Sequence, residues 1–320
     1  MYFSLSQRTS AILQALFVTF LWSTSWVLIK FGLEDIPPLT FAGLRYGLAF
    51  LLLLPIALRR HGSRASASMR RQDWAQLALL GFLLYAVTQG AQFVALALLP
   101  AVTISLLLNF TTVVVAFLGI LFLGERLGVR QWVGTALFIL GALAYFFQDV
   151  IQSDLDLSPM ELLGYIVAVT GVLANALSSV VGRAINRNHR LSALSITVVS
   201  MGIGATALLA SGLLLQGLPT LKLSSWLIIG WLAVVNTAVA FTLWNHTLRT
   251  LSAVESSIIN NTMMIQIAVL AWLFLGERLN GMQLVGLLLA AAGTLIVQLR
   301  RRRMERSPMP TGDSRRLTDA

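Results

Sequence analysis

Ten stretches of mostly apolar residues, each close to the length that crosses a lipid bilayer, dominate this chain of 320 residues. They run over 11–31, 38–58, 75–97, 101–123, 131–147, 162–182, 192–215, 225–245, 255–275 and 282–299. A helix needs roughly 20 apolar residues to traverse a ~30 Å hydrocarbon core. It also satisfies its own backbone hydrogen bonds there. Each stretch therefore predicts a spanning helix. Connections such as Leu98-Leu99-Pro100 are so short that consecutive helices must return as antiparallel hairpins. Composition removes the alternative of helices buried in a water-soluble protein. Hydrophobic residues make up 57% of the chain and charged residues 11%, where a soluble domain carries about 25% charged residues. Lipid must be the solvent for much of this surface.

Cysteine is absent, which excludes thiol chemistry, disulfides and zinc-thiolate sites. His61, His189 and His246 stand far apart in the chain, so neither a metal centre nor a cofactor is expected. The net charge of +10 is no nucleic-acid signal, because the basic residues sit in short runs between apolar stretches and in the tail. Such runs are orientation signals for membrane insertion. The first apolar stretch continues to Phe31, past any cleavage site, and so predicts a helix rather than a removable leader.

With both termini in the cytoplasm, nineteen of the 23 Lys+Arg residues fall in cytoplasmic segments, among them Arg59, Arg60, Arg64, Arg70 and Arg71. Lys222 and Arg278 fall outside, and Lys30 and Arg45 lie within spans. The expected organisation is a cytoplasmic N-terminus (1–10), a first five-helix half (11–147), an external linker (148–161) and a second half (162–299). A disordered basic cytoplasmic tail (300–320) follows.

The two halves are copies. At a constant offset of 152, residues 122–143 (FLGERLGVRQWVGTALFILGAL) and 274–295 (FLGERLNGMQLVGLLLAAAGTL) share twelve of 22 positions. The register persists upstream, where Asn109 meets Asn261 and Ser105 meets Ser257. Five is odd, so a second copy that begins on the opposite side of the membrane runs upside down. The expected fold is an all-α integral membrane protein of ten transmembrane helices in two inverted five-helix repeats. Inverted repeats recur in secondary transporters, where exchanging the conformations of the two halves turns an inward-facing state into an outward-facing one.

These features resemble the EamA-type transporters of the drug/metabolite transporter superfamily. The likeness rests on the ten spans, the two repeats and Gly-Glu-Arg-Leu after the fourth and ninth helices. Trp22-Ser23-Thr24-Ser25-Trp26 with Lys30, and Arg45 after Pro37-Pro38-Leu39-Thr40, are similar too. The likeness covers about residues 11 to 299. It implies export or exchange of small metabolites, often amino acids, across a bacterial inner membrane.

Candidate substrate contacts are polar or aromatic residues at membrane depth. Tyr85, Gln89 and Gln92 share one face of the third helix, as Ser105, Asn109 and Thr112 share one face of the fourth. Asn175 on the sixth, Trp244 on the eighth and Asn260 and Asn261 on the ninth join them. Interhelical hydrogen bonding explains any single such group. Five helices with polar faces point instead to a shared wet cavity, and Trp22 and Trp26 are candidates for its apolar wall. The substrate is expected near mid-membrane between the repeats, against Asn109, Asn260 or Asn261, Gln89 and Trp22 or Trp26.

Ionisable groups at membrane depth are costly, and each one marks a candidate site. Lys30 lies near the outer end of its helix, where a long side chain can snorkel. Arg45 is deeper, and a pair with Glu34 or Asp35, or with carbonyls at a helix end, would satisfy it. Gating or structural roles are assigned to both. Glu125 and Glu277, equivalent in the repeat, are expected to cap and pair locally in the turn to the next helix. The fifth and tenth helices carry Gly134 with Gly141 and Gly286 with Gly293, a spacing for close packing, and read as scaffold.

A secondary transporter is the expected function. The partners expected are a small metabolite, neutral, zwitterionic or anionic rather than cationic because no mid-span carboxylate is present, and the lipid bilayer. No nucleic acid and no obligate protein partner is expected. A channel would want a ring of like residues or a filter-like backbone. An enzyme would want a paired nucleophile and base or a metal cluster. Neither pattern is visible.

Overall fold

The computed structural model describes residues 7–61, 69–123, 128–152, 158–187, 191–217, 219–248, 250–251 and 253–298. Among the described residues all regular structure is helical. The helices are α1 (Gln7–Gly32), α2 (Pro38–His61), α3 (Arg71–Leu98), α4 (Ala101–Leu123), α5 (Val129–Gln152), α6 (Pro159–Arg187), α7 (Ala193–Gln216), α8 (Leu223–Thr247), α9 (Ala253–Leu275) and α10 (Gly281–Gln298). All ten contain a segment long and apolar enough to cross a membrane. Their outer faces carry large apolar side chains in the open, such as Leu214 at 85% and Leu121 at 75% exposed. The chain is an all-α integral membrane protein. Below, the proximal end is the one at which α1 begins, and the distal end is the one at which it finishes.

Hydropathy placed the spans, but polar caps set where the helices begin. α3 starts at Arg71, four residues before its apolar stretch, because Asp73 turns back to accept the Arg70 N–H at 2.9 Å. α6 starts at Pro159, where the Glu161 carboxylate takes the Ser158 N–H at 2.9 Å and the Ser158 hydroxyl receives the Glu161 N–H at 3.2 Å. Such reciprocal bonds satisfy donors that a helix start leaves free. α5 likewise continues to Gln152, beyond the expected span end at 147.

α5 and α10 form the tightest pair, and glycine is the reason. A Cβ on Gly134 would sit 2.8 Å from the Gly293 carbonyl oxygen, and one on Gly141 would sit 2.6 Å from that of Gly286. Only a residue without a side chain lets two backbones approach so closely. The close packing expected of these glycines is present, and the two helices meet each other, Gly134 with Gly293 and Gly141 with Gly286. α2 packs on α7 in the same way, with Gly43 against the Leu209 backbone and Gly212 against Thr40.

α3 and α8 each contain a stretch of π-helix, at Phe82–Gln89 and at Val234–Val239. Phe82 and Val234 are 152 residues apart, the repeat offset itself. The wider turn displaces backbone carbonyls from their usual partners. A threonine in each stretch answers it: Thr88 Oγ1 donates to the Leu83 carbonyl at 2.8 Å, and Thr237 Oγ1 to that of Leu232 at 2.9 Å. π segments of this kind often lie at functional sites.

Candidate transport site

At the distal end the helices part. A crevice of about 690 Å³ opens between the end of α1 (Lys30, Phe31, Leu33, Glu34), the α3–α4 turn (Leu96 to Pro100) and the end of α9 (Phe274, Leu275, Glu277). Both halves of the chain contribute to it. α9 ends at Gly276, whose φ of 69° belongs to the left-handed region that glycine enters without strain. That reversal carries Glu277 across to the other half. Its carboxylate accepts the backbone N–H groups of Ala101 at 2.6 Å and Val102 at 3.1 Å. A negative charge on the free N–H groups of α4 is favourable both as a hydrogen bond and toward the helix dipole. The expectation that Glu277 serves its own turn is corrected: it caps a helix 176 residues away in sequence. Glu125, its repeat counterpart, lies outside the described residues. Lys30 lines the crevice and is half-buried.

One helical turn toward the membrane centre from Leu96 and Ala97 stands Phe93, fully buried. Arg45 of α2 lies against it, its guanidinium carbon 6.0 Å from the Phe93 ring centre and 5.1 Å from that of Tyr46. Arg45 is 6% exposed and its Nε has no hydrogen-bond partner. The pairing expected with Glu34 or Asp35 is absent. Asp35 is taken by Lys222 at 2.8 Å, and among the described residues no carboxylate comes within ion-pair range of Arg45. Tyr46 donates its hydroxyl proton to Gln89 Oε1 at 2.6 Å and packs edge-on against Tyr85 at 5.5 Å. Two expected site residues, Tyr85 and Gln89, thus gather with Arg45. Tyr46 was not among the expected contacts, although its place beside Arg45 was the available signal.

A second polar group ties α1 to α8 and α9. Trp22 Nε1 donates to the Asn236 carbonyl at 3.1 Å, within the π stretch of α8. The Asn236 side chain returns to the Leu21 carbonyl and to Thr24 Oγ1, leaving its own buried oxygen without a partner. Trp22 also packs at 5.2 Å against Trp244 and at 5.4 Å against Phe241. Gln266 of α9 accepts from Ser23 at 3.0 Å and donates to Thr262 at 3.0 Å and Thr19 at 3.3 Å. Trp26 is 7% exposed and sits in the main apolar core.

The remaining asparagines do not converge. Asn109 donates to the Ser105 carbonyl of its own helix at 2.8 Å, Asn261 to the Ala291 carbonyl of α10 at 2.7 Å, and Asn175 to Thr111 at 3.3 Å. Asn260 is exposed.

At the proximal end α1 is tied to α8 and α9. Arg8 donates from both Nε and an Nη to the Glu255 carboxylate, and Gln14 meets His246 at 3.2 Å. Between these contacts Ala11, Ala15, Leu251 and Ile259 form a small apolar cluster, with Ile12, Leu16 and Trp244 packed against it. Trp244 therefore joins the closure as well as packing at a tilt against Trp22.

Known proteins share this architecture. A solved crystal structure matches with a TM-score of 0.64 and 20% identity, over 93% of this chain and 100% of its own. The uncharacterized transporter YoaV of Bacillus subtilis (strain 168) is 22% identical over 276 residues, 86% of this chain and 92% of that protein. A Salmonella typhimurium protein named "Probable amino-acid metabolite efflux pump" is 28% identical over 293 residues, 88% of this chain and 92% of its own length. The family described as the EamA-like transporter family matches twice, at residues 9–147 and 162–299. With ten apolar helices and a crevice between two stretches that each match it, the chain belongs to the EamA-like transporter family.

Proposed function

We propose that the chain is a secondary transporter that exports or exchanges small metabolites, amino acids among them, by alternating access across a bacterial inner membrane. The observation that carries this reading is the difference between the two ends: a crevice walled by both halves is open distally, while α1 of the first half is tied to α8 and α9 of the second proximally. A carrier needs a path closed at one end whenever it is open at the other. The repeat supports it further. The π stretches fall at equivalent positions in α3 and α8, and the glycine contacts between α5 and α10 exchange into one another under the 152-residue offset, as a two-fold relation would require. On this reading both termini are cytoplasmic, the distal crevice faces outward and the halves (11–147 and 162–299) are inverted. The substrate passes from the crevice toward Gln89, Tyr85, Trp22 and the Asn109 and Asn261 level. The amino-acid part leans on the name carried by the Salmonella relative.

Counterflow tests it. Purified protein in liposomes loaded with the twenty L-amino acids should exchange at least one labelled amino acid saturably. Non-saturable, voltage-driven flux would make the protein a channel. The inversion has its own test, simplified by the lack of native cysteine: Gly128→Cys and Asn280→Cys should react with an impermeant thiol reagent from opposite sides. Reaction of both from one side overturns the inverted arrangement.

A further inference from the structure

Building on the transport reading, we propose that Arg45 receives the carboxylate of the transported molecule, so that the substrate class is amino acids and other small carboxylates rather than amines or uncharged solutes. Arg45 lies seven residues past Pro38, about 10 Å along α2 and hence about a third of the way into the hydrocarbon core. A buried guanidinium at that depth is costly unless something offsets its charge. The protein supplies only the faces of Tyr46 and Phe93 among the described residues, and cation–π contacts offset such a charge in part. Of the acids that could have paired with it, Asp35 is committed to Lys222 and Glu277 to the backbone of α4, and Glu34 at the crevice wall makes no ion pair with it. Nε is left with a hydrogen to donate and no acceptor. The missing partner is an anion.

Position and shape agree with a ligand. Phe93, whose ring the guanidinium faces at 6.0 Å, stands one turn from Leu96 and Ala97 of the crevice wall, so a single helical turn of α3 links the crevice lining to Arg45. A guanidinium presents parallel N–H donors that match the two oxygens of a carboxylate, which an ammonium cannot do. Gln89 is held by Tyr46 through its oxygen, which turns its amide nitrogen away from the tyrosine as a further donor. Position 197, the repeat counterpart of Arg45, is a threonine. The carboxylate therefore has one receptor, on the first half, and the two halves meet the substrate differently.

The experiment measures the melting temperature of the detergent-solubilised full chain against three probe sets: the twenty L-amino acids, their primary amides, and lactate with succinate. Wild type should be stabilised by one or more carboxylates and not by the matching amides. Arg45→Gln should weaken that binding about 10- to 100-fold, the loss of charge-assisted hydrogen bonds, and Arg45→Lys should restore part of it. The unliganded Arg45→Gln protein should melt no lower than wild type, since an uncompensated charge has been removed. Two results overturn the proposal: equal stabilisation of wild type by carboxylates and amides, or carboxylate binding by Arg45→Gln as tight as wild type. A purely structural arginine would instead lower the unliganded melting temperature and leave affinity unchanged. Counterflow separates the two readings. If no amino acid exchanges yet lactate or succinate stabilises wild type and not Arg45→Gln, amino-acid transport fails while Arg45 as carboxylate receptor stands.

Discussion

At its proximal end α1 is held to its neighbours by an exposed ion pair, Arg8 with Glu255, and by an apolar cluster around Ala15, Leu251 and Ile259. At its distal end, some 20 residues on, the same helix borders a crevice of about 690 Å³, and Glu277, just past the end of α9, caps α4 rather than tying α1. The difference teaches where a helical membrane protein can open. The proximal closure is mainly apolar contact, which tightens as water leaves. The distal end spends its polar groups on backbone and on Lys222, leaving room between helices.

The comparison breaks most severely in the apolar cluster. Ile259→Ala removes packing from a residue only 7% exposed and should cost about 2–5 kcal/mol of stability. It should also raise the labelling of an Ala15→Cys reporter from the proximal side. Unchanged labelling would mean that the cluster does not hold that end shut. Glu277→Ala comes next. It strips the α4 cap, at about 1–2 kcal/mol, and should change labelling of Ala97→Cys in the crevice. Glu277→Gln, which retains an acceptor, should lose less stability. Equal melting temperatures for Glu277→Ala and wild type would remove the cap from the account.

Smaller effects sharpen it. Arg8 is 71% exposed in its side chain and Glu255 24%, so Arg8→Gln should cost no more than about 1 kcal/mol. A double-mutant cycle with Glu255→Gln measures how much of that belongs to the pair. Smallest of all is the distal pair. The Asp35 carboxylate, by hydrogen bond and by charge, raises the Lys222 pKa above its ordinary value of 10.5. Any stability the pair adds is therefore complete below that value and fades as pH rises through the elevated native one. Wild type and Lys222→Gln should accordingly converge in melting temperature as pH is raised beyond 10.5. A gap that persists there contradicts the pairing.

Much of this could be read from the chain. The ten spans lie where their apolar windows predicted them, because hydropathy over 20 residues is a local property. Gly134, Gly141, Gly286 and Gly293 were visible as packing glycines from their spacing alone. The helix starts were misjudged by a few residues at Arg71 and Pro159, where polar caps rather than lipid decide the boundary. Of the groups that gather around Arg45, Tyr85 and Gln89 were singled out from their shared face, but Tyr46 was not, nor was Asn236 beside Trp22. Asn109, Asn175 and Asn261 have the same residue type and depth as a converging set, yet each bonds to a different helix neighbourhood. Residue type at a given depth marks polarity and not partner.

By itself, then, the sequence determined the lipid-solvated class, the ten helices, the duplication at an offset of 152 and the family they resemble, since each follows from composition or from short-range and repeated patterns. Only the tertiary structure decided that Glu277 caps α4, that Asp35 turns to Lys222 and that Arg45 is left facing two rings. The first two join residues more than 170 positions apart, and the third brings Phe93 of α3 against α2. Which end stands open was likewise beyond the sequence. Two similar halves permit the same closure at either end, and the choice rests on many weak contacts between helices that have no signature in either half alone.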